Sequence, residues 1–126
     1  MKLLQNILIL CLMFLSSTTI LAQKDSLALQ RKARGLVRDG NKLYEQEKYT
    51  DASVAYKKAL ENSASYEKAS YNLGNAMYQN KNYKEAVPQF ELSAKTAKDK
   101  SSKAEAYHNL GNAFMETKNY QGAVDA

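Results

Sequence analysis

The sequence predicts an all-α protein, an α-solenoid built from antiparallel helix pairs. The first observation is a Tyr-x-x-Ala motif that occurs at Tyr49, Tyr83 and Tyr120. Each of these three copies starts nine residues after a glycine, and the glycines are Gly40, Gly74 and Gly111. Their spacing of 34 and 37 residues is typical of helical repeats. Because such repeats bury their apolar faces against one another and bind partners on the surface of the stack, we expect a binding protein.

The second observation is apolar spacing of helical period on both sides of each short turn. Two helices joined by a few residues pack antiparallel, so we predict three helix pairs, at residues 33–66, 67–103 and 104–126. The second unit is longer because it contains an extended loop, and the stretch from Ser102 to Glu105 predicts a capping box there. The third unit ends before the aromatic residue found seven positions after Tyr49 and Tyr83, so we expect it to be truncated.

Residues 1–22 have the pattern of a secretory signal peptide. Lys2 is followed by an apolar stretch at 7–15 that is short for a membrane span, and Ala22 ends a plausible cleavage site. We therefore predict export to the periplasm and a mature chain that begins at Gln23. An uncleaved membrane anchor is the alternative.

Residues 23–32 are predicted to lead into the first helix, which Asp25 or Ser26 could cap. The chain carries a net charge of +5, and its basic residues cluster in this region, at Arg31, Lys32, Arg34 and Arg38. We interpret the cluster as a solvated helix face, because a nucleic-acid surface would need a larger excess interleaved with aromatic residues. Cys11 is the only cysteine, so the mature chain would be stabilised by packing without disulfides.

The segments 72–76 and 109–113, Asn-Leu-Gly-Asn-Ala in both cases, are each followed by Lys-Asn-Tyr-x-x-Ala. This pattern resembles the tetratricopeptide repeat and covers about residues 33–126. The resemblance implies close packing of each shared glycine against Ala52, Ala86 or Ala123 across its helix pair. Two features depart from the family. The turns carry Glu47, Lys81 and Lys118 where glycine is common, and Pro88 lies inside the fourth helix, where it predicts a slight kink.

A finer resemblance rests on the signal peptide together with the segments 40–44, 71–75 and 107–112. With these features the chain is similar to the repeat protein of the Bacteroides aerotolerance (Bat) operon. That resemblance implies a periplasmic scaffold beside membrane proteins with von Willebrand factor A domains. It also implies a role in tolerance of oxygen or envelope stress.

The tetratricopeptide resemblance further implies that the first helix of each pair lines a concave groove. The candidate groove residues are Asn41, Asn72, Asn75, Asn109, Asn112, Tyr71 and His108. The asparagines form a ladder of amides that both donate and accept hydrogen bonds, as the backbone of an extended peptide requires. The alternative is that asparagine is common at these positions whatever the repeat binds. A clamp for a terminal carboxylate is disfavoured, because Val37, Glu105 and Asn109 occupy the positions of its cations.

No catalytic, cofactor-binding or metal-binding residue is predicted. His108 is the only histidine, a metal site needs several ligands, and the chain has no glycine-rich phosphate loop. We therefore predict a protein–protein interaction scaffold for a cell-envelope complex that binds a protein or extended peptide and no nucleic acid. Two alternatives remain: a periplasmic peptide-binding chaperone or assembly factor, and an N-terminal fragment of a protein with a C-terminal catalytic domain.

Overall fold

The computed structural model describes the backbone of residues 1–126 and all side chains except those of residues 15–18 and 21. The described backbone forms six α-helices and no strand. They are α1 (Lys2–Glu45), α2 (Tyr49–Asn62), α3 (Glu67–Gln79), α4 (Tyr83–Thr96), α5 (Lys100–Glu116) and α6 (Tyr120–Asp125). The prediction of an all-α solenoid is confirmed.

The six helices form three pairs that stack along one direction. Helix α1 pairs with α2, α3 with α4 and α5 with α6, and each pair also packs on the next one. The first helices contact one another, α1 with α3 and α3 with α5, whereas no contact joins α2 to α4. The first helices therefore form the tight inner layer of the stack, and the concave surface lies on that layer.

Each first helix ends in the same hydrogen-bonded turn. After α1, the Glu47 N–H donates to the Tyr44 carbonyl and the Lys48 N–H to the Leu43 carbonyl, both at 2.9 Å. The turns after α3 and α5 repeat this pattern. It is the Schellman motif, whose first residue past the cap takes a left-handed conformation that glycine adopts most easily. Here that position is filled by non-glycine residues at φ 59–61°, which are Glu47, Lys81 and Lys118.

Two of the three shared glycines lie directly under an aromatic ring. A Cβ added to Gly40 would be 2.5 Å from Tyr56 Cε1, and one added to Gly74 would be 2.7 Å from Phe90 Cε1. The closest neighbours are thus the rings, and not Ala52 and Ala86 as the family pattern implied. Both rings are almost completely buried, so they require a residue without a side chain on the facing helix.

Two local predictions, the start of the first helix and the cap of the fifth, differ from the structure. The predicted lead-in, residues 23–32, is itself helical and continuous with α1, so no helix starts at Asp25 or Ser26. The predicted capping box is wrong, because α5 starts at Lys100 and its N-cap is Asp99. The Ser102 N–H donates to Asp99 Oδ1 at 2.9 Å, which places Ser102 within the first turn. Pro88 lies within α4 at an exposed position and does not end the helix.

The N-terminal part of α1 carries exposed apolar side chains from Leu3 to Phe14. Over the side chains that the structure describes, no helix is long and apolar enough to span a membrane. Part of the predicted signal peptide, residues 15–18 and 21, lies outside those described side chains. The signal peptide and its cleavage after Ala22 stay predictions.

Candidate binding groove

The inner layer presents one polar face of each first helix. Residues spaced by four, three and four positions lie on one side of an α-helix, and the same four positions relative to the shared glycine recur in α1, α3 and α5. We call these twelve side chains the groove face. The groove face consists of Arg34, Arg38, Asn41 and Glu45 on α1; Lys68, Asn72, Asn75 and Gln79 on α3; and Glu105, Asn109, Asn112 and Glu116 on α5.

Asparagines join neighbouring first helices across the groove face. Asn72 Nδ2 donates to Asn41 Oδ1 at 2.9 Å, and Asn109 Nδ2 donates to Asn75 Oδ1 at 3.0 Å. In both pairs the acceptor follows the glycine of one repeat and the donor precedes the glycine of the next. The ladder of amides is therefore an internal network as well as a surface, which the sequence analysis did not anticipate.

Tyrosines extend this network into the core. The Tyr56 hydroxyl donates to Asn41 Oδ1 at 2.8 Å, so one amide oxygen accepts two hydrogen bonds. The Tyr71 hydroxyl accepts from Asn109 Nδ2 at 3.1 Å, and its ring packs edge-on against Phe90. Tyr71 therefore contributes to the packing of the repeats as much as to the groove.

A second row of contacts runs parallel to the asparagines. The Tyr78 hydroxyl donates to Glu116 Oε1 at 3.4 Å, and Tyr44 makes the corresponding contact with the Gln79 side chain. Burial raises the pKa of Tyr44, and the hydrogen bond to Gln79 opposes that effect. Each junction between first helices thus contains one asparagine pair and a tyrosine contact of this second row, and the junction between α3 and α5 also has the bond from Asn109 to Tyr71.

The two remaining predicted residues lie at the other end of the stack. Asn112 and His108 are both exposed and border a depression of about 690 Å³ together with Tyr107, Met115 and Val124. Neither side chain makes a hydrogen bond to another described residue. The structure therefore divides the predicted site residues: Asn41, Asn72, Asn75, Asn109 and Tyr71 form one connected network, and Asn112 and His108 lie outside it.

Three depressions form a continuous groove along α1 and α3. The first, the amide pocket, has a volume of about 270 Å³ and is lined by Asn41, Tyr44, Glu45, Tyr56, Asn72 and Asn75. The second, of about 260 Å³, shares Asn41 and Asn72 with the amide pocket. It also shares Glu67 and Lys68 with the third, of about 360 Å³, which we call the basic pocket.

The sequence analysis missed several lining residues. Tyr56 was not named as a groove residue, although Phe90 takes its position in the second repeat and the hydroxyl that distinguishes the two can be read from the sequence. Burial is the largest cause that raises the pKa of Tyr56, to about 12. Arg34 was interpreted as part of a solvated helix face, and Glu45 was not singled out. Within the described side chains no group of three or more acidic, histidine or cysteine residues could hold a metal ion.

Comparisons with known proteins identify a matching family model and similar solved structures. Residues 40–81 match the family model of the TPR repeat. The N-terminal domain of stress-induced protein-1 (STI-1) from C. elegans superposes with a TM-score of 0.74 and 26% identity, over 78% of this chain and 80% of that one. A search of curated protein sequences gives no match.

Two further solved structures are similar and have peptide sites in their descriptions. The first TPR of Spaghetti (RPAP3), bound to the HSP90 peptide SRMEEVD, gives a TM-score of 0.68 at 23% identity, over 75% of this chain and 72% of that one. YrrB, described as a TPR protein with an unusual peptide-binding site, gives 0.66 at 23% identity, over 85% of this chain and 50% of that one.

Proposed function

We propose that this chain, a tetratricopeptide-repeat protein, is an exported scaffold that holds an extended protein segment in the groove along α1 and α3. TPR folds are protein-binding and peptide-binding modules, and the fold of this chain is theirs. The observation that carries the proposal is the state of the amides in the groove. Asn41 and Asn75 each use Oδ1 for hydrogen bonds inside the protein, and neither Nδ2 group donates to another side chain or backbone group that the structure describes.

These two Nδ2 groups give the groove a defined chemistry. An amide nitrogen carries two donors and no acceptor, so the amide pocket offers donors at the positions where both asparagines border it. Backbone carbonyls of an extended peptide are the complementary acceptors, and they are present whatever the peptide's sequence. The groove therefore binds a chain by its backbone and leaves side-chain selection to the charged residues at its ends.

The length of the groove sets the length of the segment. The groove face of α1 extends from Arg34 to Glu45, eleven residue steps along the helix, which is about 16 Å at 1.5 Å per step. An extended chain advances about 3.3 Å per residue. A segment of about five residues fills the groove.

We further propose that the scaffold serves a cell-envelope complex involved in tolerance of oxygen or envelope stress, with von Willebrand factor A domain membrane proteins as partners. The support is the resemblance of residues 40–44, 71–75 and 107–112 to the repeat protein of the Bat operon, together with the predicted signal peptide. Export is tested by N-terminal sequencing of the protein from a periplasmic fraction. A chain that begins at Gln23 is expected, and one that keeps Met1 and stays in membranes would contradict it.

The groove is tested by two isosteric changes, Asn41→Asp and Asn75→Asp, in one variant. Aspartate keeps the oxygen that accepts the internal hydrogen bonds and replaces the free donor with a carboxylate oxygen. The probe is a fluorescent hexapeptide with neutral side chains and blocked termini, and anisotropy measures its binding. We expect at least a several-fold loss of affinity, because each lost hydrogen bond contributes about 0.5–1.5 kcal/mol and a carboxylate repels a carbonyl.

The matched control is the same change at two exposed positions outside the groove, Asn82→Asp and Asn119→Asp. Neither side chain belongs to the groove face, so the control adds the same charge without altering the amides. Equal binding by the groove variant and the control would contradict the proposal.

A peptide-binding chaperone or assembly factor remains the second candidate, and the backbone-directed donors favour it too. The two candidates differ in the range of peptide sequences that they bind. Similar affinities for several neutral hexapeptides of unrelated sequence would favour the chaperone. A dedicated scaffold should bind a segment of its envelope partner much more tightly than any of these.

A further inference from the structure

The loop between α4 and α5 brings a third cation to one end of the groove. This loop has three residues, 97–99, one fewer than the loop between α2 and α3, so the extra residues of the second repeat lie in the longer helix α5. The Lys98 N–H donates to Glu67 Oε2 at 2.9 Å. The bond holds the loop against the first turn of α3. As a result Lys98, Lys68 and Arg34, from three separate segments, all border the basic pocket.

These three cations have no ionic partner within the described part of the chain. The single ion pair among the described side chains joins Lys42 to Asp39, on another part of α1. Glu67 borders the basic pocket too, but the backbone of Lys98 already occupies one of its oxygens. Three positive charges and one negative charge leave a positive excess at one depression, where like charges repel each other unless an anion binds.

The opposite end of the groove has the opposite sign. Glu45 borders the amide pocket, and no lysine, arginine or histidine does. Because neighbouring depressions share lining residues, the groove runs from an acidic end at Glu45, past the amide donors and a middle depression bordered by Glu105 and Lys68, to the basic pocket. The electrostatic potential along the groove is therefore negative at the end near Glu45 and positive at the basic pocket.

We infer that the basic pocket is a subsite for a carboxylate side chain of the bound peptide, and this inference rests on the proposed function of the groove. The ligand is an extended segment with one or two acidic residues at one end, and neutral or basic residues at the end near Glu45. Ser63 and Ser65 hydroxyls border the same pocket and add donors beside the cations. The subsite differs from a carboxylate clamp, because Val37, Glu105 and Asn109, and not the three cations of the basic pocket, occupy the positions of the clamp's cations.

The inference is tested with three blocked fluorescent hexapeptides and the full chain. One probe carries two glutamates followed by four neutral residues, the second has the same residues in reverse order, and the third carries glutamines in place of the glutamates. We expect one glutamate probe to bind about three- to tenfold more tightly than the glutamine probe, which is the range that one or two partly exposed charge pairs supply. The preference should shrink as salt is raised, because the pocket is open to solvent.

The decisive variant combines Arg34→Gln with Lys98→Gln, which removes two cations and keeps the backbone bond between Lys98 and Glu67. The control combines Lys57→Gln with Lys58→Gln on α2, where both side chains are exposed outside the groove and the change in charge is equal. We expect the first variant to bind all three probes alike and the control to keep the glutamate preference. Melting temperatures confirm that both variants fold.

The outcomes separate this inference from the proposed function. If wild type binds the glutamine probe and both glutamate probes equally, the subsite is wrong and the groove stands. If a glutamate preference persists unchanged without Arg34 and Lys98, the carboxylate binds elsewhere and the inference is overturned. If no probe binds, both the subsite and the proposed function are overturned.

Discussion

At the scale of single residues, this chain depends on close contacts that a small change would break. Gly74 lies under Phe90, and Asn41 accepts hydrogen bonds from both Tyr56 and Asn72. The tyrosine hydroxyl and the two amides couple the core to the groove surface. A substitution in the groove therefore affects stability and binding together, unless it keeps the oxygen that accepts these bonds.

The first prediction concerns Gly74→Ala. The new Cβ would be 2.7 Å from Phe90 Cε1, so this fully buried ring has to shift to admit it. Overpacking of this kind costs about 1–3 kcal/mol, which thermal or urea unfolding would detect.

Gly35→Ala in α1 is the control, because nothing lies within 4 Å of its Cβ position. It should raise stability by up to about 1 kcal/mol, since alanine favours helix. Equal effects of the two changes would contradict the packing described.

The second prediction concerns pH. The pKa of Tyr56 is raised to about 12 from 10.0 in the unfolded chain, so the folded state holds this proton more tightly. Its contribution to stability is complete below pH 10 and is lost as the pH rises towards 12, by about 2–3 kcal/mol. Tyr56→Phe cannot ionise there. The gap in unfolding free energy between wild type and Tyr56→Phe should narrow or reverse over that interval, and a constant gap would contradict the shift.

At the scale of elements, the turns show how the repeat tolerates departures from the family. The three turns keep both Schellman hydrogen bonds although their left-handed position holds Glu47, Lys81 or Lys118. An L-residue costs about 1–2 kcal/mol in that conformation. Packing of the two joined helices supplies the free energy that holds the turn. The sequence analysis noted the missing glycines but gave no reason why the turns form without them.

The third prediction tests this cost with Lys81→Gly. Glycine removes the strain at φ 61° but adds about 0.4–1 kcal/mol of entropy to the unfolded chain. We expect a net stabilisation of about 0.5–1 kcal/mol in chemical unfolding. Lys57→Gly, at an exposed position inside α2, is the control, and it should destabilise the protein by about 1 kcal/mol. Destabilisation by both changes would mean that the turn is not strained.

At the scale of the whole molecule, neighbouring helices bury the residues of some helices much more than those of others. Helix α3 has neighbours on both sides and buries six residues, among them Leu73, Gly74 and Met77. Helix α6 has six residues and buries none, and Met115 beside it is 53% exposed. Because each repeat is stabilised by its neighbours, local stability should fall from the centre of the stack towards α6.

The fourth prediction follows from this gradient. Amide hydrogen exchange should be slowest in α3, faster at the end of α5, from Leu110 to Met115, and fastest in α6. Local opening free energies span the range from near zero to the global value, so the three segments should be resolved at one pH. If the amides of α6 exchanged as slowly as those of α3, the prediction would be wrong, because the described contacts of α6 do not account for such protection.

The sequence by itself determined the fold, because the packing of a helical repeat is local. The 34-residue spacing, the glycine positions and the Tyr-x-x-Ala motif all act within one helix pair or between neighbouring pairs. The identity of the inner helices followed from the same pattern, as did the choice of five candidate residues that the structure joins by hydrogen bonds. The start of α5 was mispredicted, since Asp99 and Ser102 are competing caps whose choice depends on the length of the loop.

Only the tertiary structure decided how the side chains divide their hydrogen bonds. Asn41 and Asn72 are 31 residues apart, and Lys98 and Glu67 are equally far apart, so no local pattern could show that they meet. Those contacts decide which amide donors stay free and which cations gather at the basic pocket. The physical reason is that a repeat motif specifies how helices pack, whereas the chemistry of the groove arises where side chains from different repeats come together.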